Sequence, residues 1–198
     1  MTTIPVSSDQ PPILLLDVDG VLNALDRLPA ARGGWDDWQH GSATADGTRW
    51  PITWSPQVVG TLRDWHERGW VELRWLTTWG HEANDELRRL LGLPPLAVVG
   101  TYHDIGAPSG GAGAGASHAS VTPAAPDPLS GRWWKYDHVV TLLRDEPERR
   151  FLWVDDDLDR LDGAFVRWAE TQASITAIVP DPRRGLTAAD LQAIAAVL

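Results

Sequence analysis

Ile13-Leu14-Leu15-Leu16-Asp17-Val18-Asp19-Gly20-Val21-Leu22-Asn23 is the stretch that decides the fold. Four consecutive apolar residues without polar alternation read as a strand buried on both faces, the kind found inside a parallel sheet. Two carboxylates and a glycine turn follow at once. In open α/β sheets ligands bind beyond the carboxyl ends of the strands, so Asp17 and Asp19 stand where a site belongs. A single strand-end Asp more often just caps a turn. Two of them at the end of a buried strand repel unless a positive charge lies between them, and that favours function for the pair.

Outward from this stretch, strands and helices alternate. Ser55-Pro56 begins a helix, with Ser as N-cap and Pro in the first turn; Val58, Val59, Leu62 and Trp65 form its inward stripe and Gly69 ends it. Residues 70–76 read as a second strand, 81–91 as a helix stopped by Gly92, and 96–99 as a short third strand. A helix over 136–144, a fourth strand over 151–154, a helix over 158–169 carrying Leu161, Phe165 and Trp168, and a fifth strand over 175–179 follow. Thr187 and Asp190 form a capping-box-like pair at the start of a last helix. The expected fold is α/β, a doubly wound parallel sheet of five core strands with right-handed crossovers, in a single domain spanning residues 1–198.

Two segments break the rhythm. Residues 33–54 hold Trp35, Trp38, Trp50 and Trp54 around an Asp46-Gly47 turn signal, which predicts a β-hairpin. Residues 106–130 are dominated by Gly, Ala, Ser and Pro with no apolar period, and read as a flexible loop, not a domain.

Composition excludes several classes. The formal net charge is −10, so the surface as a whole repels nucleic acid and anionic membrane, and no Lys/Arg run supplies an obvious basic patch. There is no cysteine, which excludes disulfides, thiolate catalysis and Cys-based zinc sites. The first twelve residues lack a basic region and an apolar core, and the apolar run at 13–16 is far too short to span a bilayer; no membrane partner is expected, and a cytoplasmic location is. The six histidines show no metal-ligand spacing.

Three other places carry chemistry-bearing residues. Thr77 ends the second strand, with Thr78 as its neighbouring competitor. Lys135 is the one lysine among 17 basic residues, in a chain that otherwise uses Arg throughout. A lone Lys is ordinarily a solvated surface residue. Its retention here favours function, since a point-charge ammonium and a guanidinium fork are not interchangeable at a crowded site. Asp155-Asp156-Asp157 ends the fourth strand, with Asp159 close behind; some of these acids simply favour the dipole of the next helix.

Asp17-x-Asp19-Gly20-Val21, Thr77, Lys135 and Asp155-Asp156, in this order at strand ends and a helix start, resemble the four motifs of the haloacid dehalogenase-like (HAD) superfamily. The resemblance runs from Ile13 to about Val179 apart from the two inserts, and the five predicted strands equal the family's core count. It implies a phosphatase in which Asp17 is a covalent nucleophile forming an aspartyl phosphate. Asp19 would be the general acid and base, Thr77 a donor to the phosphoryl oxygens, and Lys135 a charge stabiliser. It further implies Mg²⁺ held by Asp17, the Asp19 carbonyl and Asp156, with Asp155 in support and the register among Asp155, Asp156 and Asp157 open. The hairpin lies where the family places flaps and small caps, and no large cap is evident.

Thr78, Trp79, Trp35 and Trp38 are candidate substrate contacts, because aromatic faces stack on rings and bases. A small hydrophobic hairpin core explains the Trp35, Trp38, Trp50 and Trp54 group equally well. The expected substrate is a small phosphorylated molecule; a nucleic-acid end is the second choice, against the acidic charge. Asp19 argues against dehalogenation, which needs no acid there. A phosphotransferase or mutase and a catalytically idle interaction module are the other readings.

Overall fold

A computed structural model describes residues 10–26, 35–106, 129 and 131–198. The loop expected over 106–130 falls almost wholly outside the described residues, as do the first two positions of the hairpin insert. Five parallel strands make the main sheet in the order β5 (Ala97–Val98), β4 (Glu72–Trp75), β1 (Ile13–Leu16), β6 (Phe151–Val154) and β7 (Ile175–Ile178). Ile13 pairs with Glu72 on one side and Phe151 on the other, Leu16 with Trp75 and Val154. All four residues of β1 are inaccessible to solvent, as the unbroken apolar run requires.

Period-two alternation splits the core into two layers. Leu14, Leu16, Leu73, Trp75, Leu152 and Val154 point to the face covered by α1 (Pro56–Glu67), α2 (Glu86–Leu91) and α5 (Ala188–Ala195). Ile13, Leu15, Phe151 and Trp153 point to the face covered by α3 (Trp134–Asp145) and α4 (Arg160–Glu170). Helix α1 starts as its sequence dictates: Ser55 Oγ accepts from Val58 N at 3.2 Å and Pro56 sits in the first turn. The Thr187–Asp190 capping box at α5 is complete. Among the described residues no helix is long and apolar enough to cross a membrane.

The hairpin is present as β2 (Gln39–Ala45) and β3 (Thr48–Trp54), joined by Asp46 and Gly47 at φ 50° and 68°. Both residues with positive φ make the two-residue turn whose twist matches the strands. Ala43, Ala45, Ile52 and Trp54 are buried in the main core. Glu86 accepts from Thr44 N and Oγ1 at 3.1 and 3.0 Å, and Glu82 from Asp46 N at 2.8 Å, so the hairpin is docked at its tip as well as its base.

Two expected helices differ from the sequence reading. The one over 81–91 is a 3₁₀ turn (Gly80–Asn84) followed by the short α2. Asn84 causes the break: its Oδ1 accepts from Trp75 Nε1 and Leu96 N, and its Nδ2 donates to Leu96 O at 2.8 Å. The side chain thereby ties the chain to the next loop in place of continuing the helix. The helix over 158–169 begins only after Leu161, Asp162 and Gly163, all at positive φ. Leu158 takes the inward place that periodicity assigned to Leu161, which is 49% exposed.

Candidate active site

The carboxyl edge of the sheet gathers the acids. Asp17 N donates to Val154 O and Asp155 N to Ile178 O, both at 3.2 Å, so the two aspartates leave adjacent strands side by side. Leu76 N donates to Leu16 O at 3.0 Å, which brings Thr77 to the same edge. Lys135 arrives from the first turn of α3 and is only 2% exposed. Its Nζ lies 2.6 Å from Asp17 Oδ2 and 2.6 Å from Asp155 Oδ2. Asp155 Oδ1 accepts from Asp157 N at 3.0 Å, so both of its oxygens are engaged. Oxygens of Asp17, Asp155 and Asp156 all lie within 4.8 Å of one another.

After Asp17 the chain turns tightly. Val18 O accepts from the amides of Val21, Leu22 and Asn23, and Gly20 has φ 75°. A Cβ on Gly20 would sit 2.3 Å from Asp156 Cγ, so glycine is required both for the turn and for the approach of that carboxylate. Asp19 is gripped on both oxygens: Asn23 Nδ2 donates to Oδ1 at 2.7 Å and Trp79 Nε1 to Oδ2 at 2.9 Å. Asn23 in turn accepts from Thr53 N at 2.8 Å, which links the turn to the hairpin.

Electrostatics follow from burial and from the count of charges. One ammonium pairs with two of three clustered carboxylates, so full ionisation of all three would leave two negative charges uncompensated at the end of the sheet. Burial disfavours the Lys135 ammonium, but the charges of Asp17 and Asp155 outweigh it and hold its pKa above the ordinary lysine value. Burial, followed by the charge of Asp17, pushes Asp155 well above the carboxylate range. Burial, then the charges of Asp17 and Asp157, raises Asp156 to about 7. Clustered hard oxygen donors with a surplus of negative charge suit a divalent cation such as Mg²⁺.

The sequence-predicted residues do not all come together. Thr77 is fully buried, while Thr78 is exposed on the rim. A small cleft of about 310 Å³ is lined by Asp19, Ala45, Asp46, Trp50, Thr78 and Trp79. Trp35 and Trp38 are not in it. Trp35 Nε1 donates to Leu186 O at 2.8 Å and its ring packs on the core. Trp38 is half-buried, and its indole N–H has no partner among the described residues. Trp54 belongs to the core, whereas Trp50 is half exposed over the cleft. Trp50 and Trp79 thus line the cleft, while Trp54 and Trp35 pack with the core. A second cleft, of about 970 Å³, meets the first at Thr78 and carries Tyr102, Arg132, Trp134 and Arg160. These four and Asn23 escaped the sequence reading; only Asn23 carried a signal, being a polar residue one helical turn after Asp19.

An acid-lysine cluster at the carboxyl end of a five-stranded parallel sheet, with a hairpin beside it, defines a HAD-type α/β domain. Residues 13–191 match the family model described as the HAD domain in Swiss Army Knife RNA repair proteins, and the chain belongs to that family. No curated protein and no solved structure matched it.

Proposed function

We propose that this domain is a Mg²⁺-dependent phosphatase that forms an aspartyl phosphate on Asp17, with a phosphorylated nucleic-acid end as substrate. One observation carries the chemistry: Lys135 bridges Asp17 and Asp155 at 2.6 Å each, inside a three-carboxylate cluster that it neutralises only in part. Family membership supports the substrate, since the name of the family refers to RNA repair, and it moves the choice away from a small phosphorylated metabolite.

In this reading Asp17 attacks phosphorus and the bond to the leaving oxygen breaks as Asp19 delivers a proton to it. Asp19 then takes a proton from water, the water oxygen attacks phosphorus, and Asp17 is released with inorganic phosphate. Trp79 and Asn23 orient the Asp19 carboxylate, each through one hydrogen bond. Thr77 donates to a phosphoryl oxygen, and Lys135 offsets the charge on Asp17 and on the transferring group. Asp17, Asp156 and the Asp19 carbonyl would hold Mg²⁺, while Asp155, with both oxygens engaged, supports Lys135. The bound ion would supply charge neutralisation at the phosphoryl oxygens. The hairpin acts as a fixed wall of the leaving-group side, through Trp50 and Asp46.

The test is turnover of p-nitrophenyl phosphate and of 5′- and 3′-phosphorylated oligoribonucleotides, with Mg²⁺ or EDTA. Activity should need Mg²⁺ and drop at least about 10³-fold in Asp17→Asn. Equal rates in wild type and Asp17→Asn would remove the nucleophile; phosphate transfer to an acceptor alcohol without hydrolysis would make the domain a phosphotransferase.

A further inference from the structure

The larger cleft has no part in the chemistry above, yet it opens on the same rim residue, Thr78. Its volume of about 970 Å³ lies at the upper end for a small-ligand site and far exceeds what a phosphoryl group fills. In a chain of net charge −10, the lining carries Arg132, Arg160 and His103 with one carboxylate, Asp137, which accepts from Gly131 N at 3.1 Å. Arg160 pairs with Asp157 at 3.1 Å, with both side chains about half exposed. Such a pair contributes little and exchanges readily for a phosphate.

Aromatic surface adjoins these charges. Tyr102 is 68% exposed, and Trp134 is half-buried at the start of α3. Leu161 lines the same cleft, exposed and at φ 52°, a conformation costly for leucine that is held at the cleft edge. Guanidinium groups interleaved with open aromatic faces are the surface that unpaired nucleotides select: bases stack on the rings and phosphodiesters meet the arginines.

We infer that this cleft is the subsite for the nucleotide adjoining the reacting phosphate, with Tyr102 and Trp134 stacking its base and Arg132 and Arg160 holding the neighbouring phosphodiester. The inference rests on the nucleic-acid-end reading above and names where that strand lies. A small phosphate ester uses only the Asp19 cleft and ignores these side chains.

The experiment compares wild type, Tyr102→Ala, Tyr102→Phe and Arg160→Ala on phosphorylated single-stranded oligoribonucleotides and on p-nitrophenyl phosphate. Binding of a fluorescein-labelled oligoribonucleotide lacking the terminal phosphate is read in parallel by anisotropy. Tyr102→Ala should lower kcat/KM on the oligonucleotides about 10-fold or more while Tyr102→Phe keeps it. Arg160→Ala should raise KM and flatten its salt dependence. None of the three should change turnover of p-nitrophenyl phosphate, which also reports that each variant is folded. If oligonucleotides turn over and both alanine variants match wild type on them, the cleft assignment is overturned and the proposed function stands. If only p-nitrophenyl phosphate turns over, or neither does, the proposed function fails in substrate or in chemistry, and anisotropy decides the cleft. Binding weakened by Tyr102→Ala then upholds it as a nucleic-acid surface, and no binding to wild type overturns it.

Discussion

Two charged clusters sit at opposite ends of the same sheet, and their balance differs. At the amino edge Arg74 and Arg149 meet Glu72 and Glu146: Arg74 Nε is 2.7 Å from Glu72 Oε1, Arg149 Nη2 is 2.7 Å from Glu72 Oε2, and Arg74 also binds Glu146. Two cations face two anions, and the glutamates remain about a third exposed. At the carboxyl edge one ammonium faces three carboxylates, with Lys135 at 2% and Asp155 at 0% exposure. The better-solvated cluster is balanced, and the drier one would not be with all its carboxylates ionised. A fold selected for stability alone would arrange this the other way, because an uncompensated charge costs most where water is absent. That surplus is what the proposed cation and phosphoryl group would offset.

The comparison breaks most easily at Lys135. Lys135→Met keeps the volume and leaves the buried Asp17 and Asp155 carboxylates without their cation, so urea unfolding in EDTA should show a loss of about 3–5 kcal/mol. A loss under 1 kcal/mol would mean that the cluster is better solvated than its burial indicates. Next in size, Mg²⁺ should stabilise the wild type by about 2.7 kcal/mol at 100 times its Kd, read as a rise in Tm over EDTA. Asp17→Asn with Asp156→Asn should abolish that rise, while substitutions in the amino-edge cluster should leave it intact. Arg74→Met should cost about 1–3 kcal/mol, less than Lys135→Met, because Arg149 and water still attend the glutamates it leaves.

The last contrast is a difference of sign with pH, in chelator. Burial alone would raise Glu72, but hydrogen bonds from Arg74 and Arg149 and their charges outweigh it and hold its pKa below 4.5. A depressed carboxylate stabilises the fold above its unfolded value, and that contribution fades as pH falls through the folded value. Asp156 is the reverse. With a folded pKa of about 7 against 3.8, the native state holds the extra proton between those values, so stability declines as pH rises from about 4 to 7. Denaturant titrations of wild type and Asp156→Asn should diverge in slope across this window. Parallel curves would show that Asp156 is already ionised in the metal-free protein.

Much of the fold was legible because its signals are local. The unbroken apolar run at 13–16, the Ser55-Pro56 start, the Asp46-Gly47 turn and the Thr187–Asp190 box each depend on a few neighbouring residues, and each appears as read. The failures involve side chains that answer to distant partners. Asn84 looks like any polar helix residue until Leu96 and Trp75 claim it. Leu161 keeps the correct period but loses its inward place to Leu158. Among the tryptophans the spacing was uninformative: Trp54 goes to the core, Trp50 to the cleft, and Trp35 to the Leu186 carbonyl.

By itself the sequence determined a parallel sheet with acids at the ends of its inner strands and one lysine kept where every other basic residue is arginine. Those are properties of chain direction, periodicity and residue choice, which need no knowledge of distance. Only the tertiary structure decided that Lys135 reaches across 118 residues to Asp17, that Asp155 spends both oxygens within the protein while Asp156 closes on Gly20, and that Tyr102, Arg132 and Arg160 share a wall. The physical reason is that charge balance and desolvation are properties of the groups assembled in space, and no single segment of this chain contains them.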